Sequence, residues 1–352
     1  MKKRSIFVIL CLLLLTAILL WREFRTVSTP MIAEDGKRIQ SSVSELKELD
    51  IGGMKQWILI RGNDVSNPVL LWLHGGPGSA QMPIAQYFNK DLEKEFVVVH
   101  WDQRGAGKSN PSNFDESTMT FEQYLADGHE LTNYLKEKFH QEKIYLVGHS
   151  WGTKVGITLV CDYPEDYYAY VGVSQLVSNL RSQEITYRWL EEKIENDSDK
   201  SKLEKIGKPP YVDHDQYVAF MKLTGEYGGG MDIGMLKLAS IAIHSKEYRL
   251  SDFKRWLDGA NRGSGPMWDS YITWDAMKEV PKVTVPVYFF SGKNDYNTPL
   301  ELVRDYYEML KASKGKELFV FEDSAHAPFM KEPDRFFDSL KKVKSETYLT
   351  SN

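Results

Sequence analysis

Apolar residues recur along this chain in two rhythms. Short unbroken runs predict strands buried on both faces: Val69-Leu70-Leu71-Trp72-Leu73, Phe96 to Trp101, Ile144-Tyr145-Leu146-Val147, Tyr168 to Val173 and Val285 to Phe290. Longer stretches with apolar positions three and four apart predict helices. Phe121 to Phe139, behind an N-capping Thr120, gathers Tyr124, Leu125, Leu131, Tyr134 and Leu135 on one broad face. Thr153 to Asp162, Pro299 to Leu310 and Phe329 to Val343 read the same way. The alternating segments Ser42 to Leu49 and Met54 to Arg61, joined by Gly52-Gly53, predict an antiparallel hairpin, and Glu317 to Phe321 a last strand. Strands alternating with helices predict an α/β fold with a mostly parallel sheet.

The alternation stops between residues 176 and 277. That block has helical stretches at Ile185 to Ile194, Asp215 to Leu223, Met235 to Ile243 and Leu250 to Leu257, and no strand–helix repeat. It predicts a helical cap inserted between a first core part, 42–175, and a second, 278–352. Gly228-Gly229-Gly230 within it reads either as a hinge for lid motion or as a disordered connection. Aromatics such as Tyr187, Trp189, Tyr217, Phe220, Trp256, Trp268 and Trp274 read first as the cap's own core.

The N-terminus follows neither rhythm. Lys2, Lys3 and Arg4 precede an apolar run, Ile6 to Trp21, broken only by Thr16. This reads as a membrane anchor or a secretory signal. No small-x-small cleavage site follows at once, so the uncleaved anchor is favoured, with the folded domain extracytoplasmic; secretion after signal cleavage is the alternative. Residues 22–41 read as a polar stalk.

Composition narrows the partners. The 352 residues carry a net charge of −5 and no long basic block, which argues against nucleic acid. A hydrophobic content of 42% supplies an ample core. Cys161 is alone outside the run that holds Cys11, so the folded part has no intrachain disulfide to form. No His, Cys and carboxylate cluster has metal-ligand spacing, and neither a metal nor a cofactor is expected. Gly107-Lys108-Ser109 imitates a phosphate-binding loop, but Asp102 stands where that loop needs a glycine. Asp102 and Arg104 are read instead as bracing their own loop by hydrogen bonds.

One stretch carries reaction chemistry. Gly148-His149-Ser150-Trp151-Gly152 joins a predicted strand to a predicted helix, the setting of a nucleophile elbow. The turn is so sharp that side chains at Gly148 and Gly152 would clash. It lifts the Ser150 hydroxyl above the sheet edge and aims the Trp151 N–H at a developing oxyanion. A serine needs a base, and the base needs an orienting carboxylate. Asp295 and His326 follow Ser150 in the order this arrangement uses, each in a loop after a strand. Asp323 is the rival acid. Gly76, in His74-Gly75-Gly76-Pro77-Gly78, is the candidate for the second oxyanion donor, ahead of Gly75.

These motifs, with Asp102-Gln103-Arg104-Gly105-Ala106-Gly107-Lys108-Ser109, resemble the α/β-hydrolase superfamily and, within it, the proline iminopeptidase branch of serine peptidases. The resemblance covers about 42–175 and 280–345. It implies a Ser-His-Asp hydrolase that releases N-terminal residues from short peptides. Members of that branch bind the substrate amine with cap glutamates, one in a Trp-x-x-Trp-Glu setting. Trp189-Leu190-Glu191-Glu192 only faintly echoes it. A carboxylesterase or amidase acting on a small ester or amide is therefore the alternative, and a non-catalytic binding protein on the same fold a more distant one.

Overall fold

The computed structural model describes residues 27–348 except 34 and 263, together with 7–9, 11, 13, 14, 16, 17 and 23. One sheet of eight strands organises it: β1 (Val43–Ile51), β2 (Met54–Gly62), β3 (Val69–Leu73), β4 (Val97–Asp102), β5 (Ile144–His149), β6 (Tyr167–Val173), β7 (Val287–Gly292) and β8 (Lys316–Phe321). Their order is β1-β2-β4-β3-β5-β6-β7-β8. β2 pairs antiparallel with β1 and with β4, and every other neighbouring pair is parallel. This is the α/β-hydrolase fold that the motifs imply.

Between β3 and β6 lie the α-helices α1 (Met82–Phe88), α2 (Phe121–Phe139) and α3 (Trp151–Asp162). Between β6 and β7 the chain runs through α4 (Asn179–Lys193), α5 (Asp197–Ile206), α6 (His214–Glu226), α7 (Met235–Ile243), α8 (Leu250–Arg262), α9 (Ser264–Ile272) and α10 (Ala276–Glu279). After β7 come α11 (Leu300–Met309), α12 (Pro328–Lys331) and α13 (Pro333–Thr347). Side chains alternate across each strand, so the sheet feeds two cores. Leu71 and Leu73 pack with Leu131 of α2, Val155 of α3 and Val303 of α11. Leu70 and Trp72 pack with Ile84 of α1 and Phe336 and Leu340 of α13. Helices on both faces explain why β3, β4, β5 and β7 are buried at every position and read as continuous apolar runs.

The inserted helices have a small core of their own, built on Leu190, Leu203, Tyr211, Phe220 and Leu223. The two ends of the insertion meet. Ser178 and Asp275 form an isolated antiparallel bridge, and the Ala276 N–H donates to Val177 O at 2.7 Å. Helix α8 is clamped to the loop after β4. Lys108 Nζ lies 2.5 Å from Asp252 Oδ2, both buried, and a side chain on Gly259 would meet Gly105 O at 2.9 Å. The loop is braced from within: Asp102 Oδ2 accepts from the Lys108 N–H at 2.8 Å and from the Tyr248 hydroxyl. Burial pushes the Asp102 carboxyl up to about 7. Arg104 reaches further than its own loop, making a bidentate pair with buried Asp127 at 2.8 and 2.9 Å.

Two expectations for the N-terminal part change. The segment read as a polar stalk is docked where it is described. Met31 is buried, the Val27 N–H donates to Lys246 O, and Thr29 bonds to Gln86 and to the buried Glu247. The membrane anchor at residues 1–21, with the rest of the chain extracytoplasmic, is corrected: among the described residues no helix is long and apolar enough to cross a membrane. Most of residues 1–21 lies outside the described residues. Length gives the physical reason. As a helix, Ile6 to Trp21 spans about 24 Å, short of the ~30 Å hydrocarbon layer.

Candidate active site

The sharp turn begins at the C-terminal end of β5. Ser150 has φ 53° and ψ −119°, a backbone conformation that a residue with a side chain rarely holds. Its neighbours make the turn possible. A Cβ on Gly148 would lie 2.5 Å from Gly152 O, and one on Gly152 would lie 2.3 Å from Leu73 O. Glycine is therefore a steric requirement at both places, and the spacing seen in the sequence follows from it. The Ser150 N–H donates to Val173 O at 3.0 Å, tying the turn to the end of β6.

Asp295 and His326 stand on the loops after β7 and β8. His326 Nδ1 lies 3.1 Å from Asp295 Oδ1 and 3.0 Å from Oδ2. Both residues are buried, at 1% exposure for Asp295 and 5% for His326. Burial by itself would raise the Asp295 carboxyl; the His326 ring, the Thr298 N–H at 2.9 Å and the Thr298 hydroxyl at 2.7 Å outweigh it and hold the group below its ordinary value. The rival Asp323 is not the partner of His326; its N–H donates to Glu332 at 3.2 Å.

Sequence reasoning missed how these loops are held. Residues 229–232 reach across from the inserted helices. Gly229 O accepts from the Tyr296 N–H at 2.9 Å, and Gly230 O accepts from the His326 N–H at 3.1 Å. Asp232 accepts from the Ala325 and Ala327 N–H groups at 2.7 Å each. Gly229 and Gly230 are thus part of a close-packed strap, while Gly228 faces open space. A Cβ on Gly229 would fall 2.9 Å from the Trp189 ring and from Tyr296 Cβ. His149 was also missed: its Nε2–H donates to His326 O at 2.9 Å, and burial lowers its pKa to about 3. No periodicity or motif marks Asp232. Its nearness to the triple glycine is the single hint.

The glycine loop after β3 lies beside the serine. A Cβ on Gly75 would come 3.1 Å from Ser150 Cβ, and Gly76 has φ 116°. His74 pins the loop with Nδ1 donating to Gly75 O at 2.7 Å and Nε2 accepting from the Gln103 N–H at 3.2 Å. Burial keeps it neutral, its pKa lowered to about 4. The Trp151 ring packs away from the loop, edge-on to Tyr124 at 5.9 Å, while its backbone follows Ser150 directly.

Ser150, His326, Gly75 and Gly76 line one cavity of about 310 Å³. Thr298, Asn297 and Met330 complete the sheet side, and α6 to α9 close the other with Tyr217, Met235, Leu238, Trp256 and Tyr271. Among the described residues that line the cavity, none is an Asp, Glu, Lys or Arg.

A family model described as the alpha/beta hydrolase fold matches residues 68–333. The chain belongs to the α/β-hydrolase family. This hydrolase lies near the proline iminopeptidase branch. It is 34% identical over 309 residues to a protein of Bacillus subtilis named probable aminopeptidase YbaC, covering 86% of this chain and 97% of that one. It is 27% identical over 307 residues to the proline iminopeptidase of Saccharolobus solfataricus, covering 80% of this chain and 86% of that one. Among solved structures, the Mycobacterium smegmatis proline iminopeptidase shares the fold with a TM-score of 0.64 at 16% identity, covering 86% and 98% of the two chains.

Proposed function

We propose that this hydrolase is a serine hydrolase that works through an acyl-enzyme. In this reading Ser150 Oγ attacks the substrate carbonyl while His326 Nε2 takes the hydroxyl proton. Asp295 accepts from His326 Nδ1–H, which leaves Nε2 free as the base and steadies the imidazolium that forms. The N–H groups of Gly76 and Trp151 hold the oxyanion. His326 then gives its proton to the departing amine or alcohol. Water, deprotonated by the same imidazole, hydrolyses the ester on Ser150 and restores the enzyme.

The observation that carries the reading is the contact of His326 with the ionised Asp295 beside the cavity that Ser150 also lines. The names of the relatives support an aminopeptidase that releases N-terminal residues from short peptides, with the inserted helices as its cap. A second reading, carboxylesterase or amidase, is favoured by the uncharged lining of the cavity.

The test is hydrolysis of a panel of chromogenic aminoacyl amides, proline included, and acyl esters, alongside Ser150→Ala. Turnover that disappears in the variant is the expected result. Turnover that survives it sinks the serine mechanism. A free-amine requirement selects the aminopeptidase form, and ester turnover without amide turnover the esterase.

A further inference from the structure

We propose that the cavity beside Ser150 takes an uncharged, apolar acyl group whose α-position is unsubstituted or carries a blocked amine, and that Tyr271 and Asn297 are its polar specificity contacts. This rests on the serine hydrolase reading, and it names the class of substrate. The wall is apolar and adaptable: Met221, Met231, Met235, Leu238, Trp256 and Leu257 line it. Methionine and leucine side chains fit many apolar shapes and offer an ammonium nothing in return for its water shell. The nearby carboxylate, Asp295, is already committed to His326 and Thr298.

Among the neutral polar groups of the lining, two stand out by their hydrogen bonding. The first ends a chain of hydrogen bonds with a fixed direction. Gln183 Nε2 donates to Asn179 Oδ1 at 2.7 Å, which turns the Asn179 amide so that Nδ2 donates to the Tyr217 hydroxyl at 3.3 Å. The Tyr217 and Tyr271 hydroxyls lie 3.2 Å apart. One hydroxyl proton is used between them, and the other remains to donate into the cavity that both tyrosines line. Burial raises both phenols, so they stay protonated donors. The second group is Asn297 Oδ1, buried at the cavity wall with no hydrogen-bond partner in the protein. Its backbone N–H is fixed on Asp295 Oδ1 at 2.9 Å, so the residue is held in place. A neutral donor and a neutral acceptor in an apolar wall match an amide group. They do not match an α-ammonium, which needs a carboxylate once its water is removed.

The experiment compares three 4-nitrophenyl esters on the leucine carbon skeleton with the full-length protein: the free-amine leucine ester, the N-acetyl-leucine ester and the 4-methylpentanoate. The pH is about 6, where the leucine amine is protonated. Each kcat/KM is divided by the ester's own hydroxide rate, because an ammonium activates the carbonyl. Both neutral esters are expected to exceed the leucine ester by about 10-fold or more. Asn297→Asp puts a carboxylate at the wall and is expected to move that ratio toward the leucine ester by about 10-fold, a shift that a merely structural role would not produce. Tyr271→Phe is expected to raise KM for the N-acetyl ester severalfold more than KM for the 4-methylpentanoate. Preference for the leucine ester in the parent protein overturns the proposal. A fluorophosphonate probe separates the two levels. Labelling of Ser150 without turnover of either neutral ester overturns the pocket assignment alone, and no labelling of Ser150 overturns the serine reading and the pocket assignment with it.

Discussion

The two walls of the cleft are held in different ways. On the sheet side, backbone closes on backbone at Gly148 and Gly152, which face Gly152 and Leu73, and Gly75 lies against the Ser150 Cβ, with Ser150 itself at positive φ. On the side of the inserted helices, side chains make the wall, from Tyr217 and Met235 to Trp256 and Tyr271. Methionine and tyrosine can be exchanged for residues of similar volume at modest cost, whereas Gly152, where an added Cβ would fall 2.3 Å from Leu73 O, admits no side chain at all. One wall is set by the backbone, and the other is free to vary in its side chains.

The largest effect should come from the sheet side. Asp295→Asn keeps the shape but presents an amide to His326 Nδ1, and kcat is expected to fall about 10⁴-fold with the thermal midpoint almost unmoved. A fall of less than 10-fold would remove Asp295 from the role given to it. Next comes the backbone contact itself. Gly152→Ala forces Leu73 to move and is expected to cost more than about 3 kcal/mol in urea unfolding. Gly228→Ala, on the inserted side, meets open space at φ +86° and is expected to cost only about 1 kcal/mol. Equal costs would erase the contrast between the two walls.

Acid should reach the sheet side first. Burial lowers His74 to about 4 and His100 and His149 to about 3. The unfolded chain takes up these protons near pH 6.5, before the folded one does, so stability is full above pH 6.5 and is lost as the pH falls toward 4. Each such histidine contributes about 1.4 kcal/mol per pH unit in that window. Urea midpoints taken across it should fall steadily; a flat profile would mean that these imidazoles are charged in the folded state. The smallest effect tests the strap. Asp232→Asn keeps one acceptor oxygen for two N–H donors, Ala325 and Ala327, and is expected to lower kcat about 10-fold while costing roughly 1–2 kcal/mol. An unchanged kcat would show that the base loop holds itself.

The same contrast decides what could be read from the chain. Steric demands leave residues behind: glycines two places either side of Ser150, the apolar runs of β3 and β5, the capping Thr120, whose hydroxyl accepts from the Gln123 N–H at 3.2 Å. Asp295 and His326 stood out because each lies in a loop after a strand, in the order this fold uses, although only the strand before Asp295 is buried throughout. The contacts of Asp232, Asn297 and Tyr271 left no such trace. They depend on how α6 to α9 settle on the sheet, and that packing has no short-range signature in sequence. The triple glycine was visible, but Trp189 and Tyr296, which crowd Gly229 and stack on each other at 3.9 Å, lie far apart along the chain.

Residues 229–232 give this molecule a particular heredity. The segment belongs to the inserted helical part of the chain, yet it accepts the amides of Tyr296, Ala325, His326 and Ala327. A lineage that trades its inserted helices for another set also trades away the acceptors that hold its His326 loop. Such an exchange succeeds only if the newcomer brings four acceptors to the same spots, so taste and turnover are passed on together.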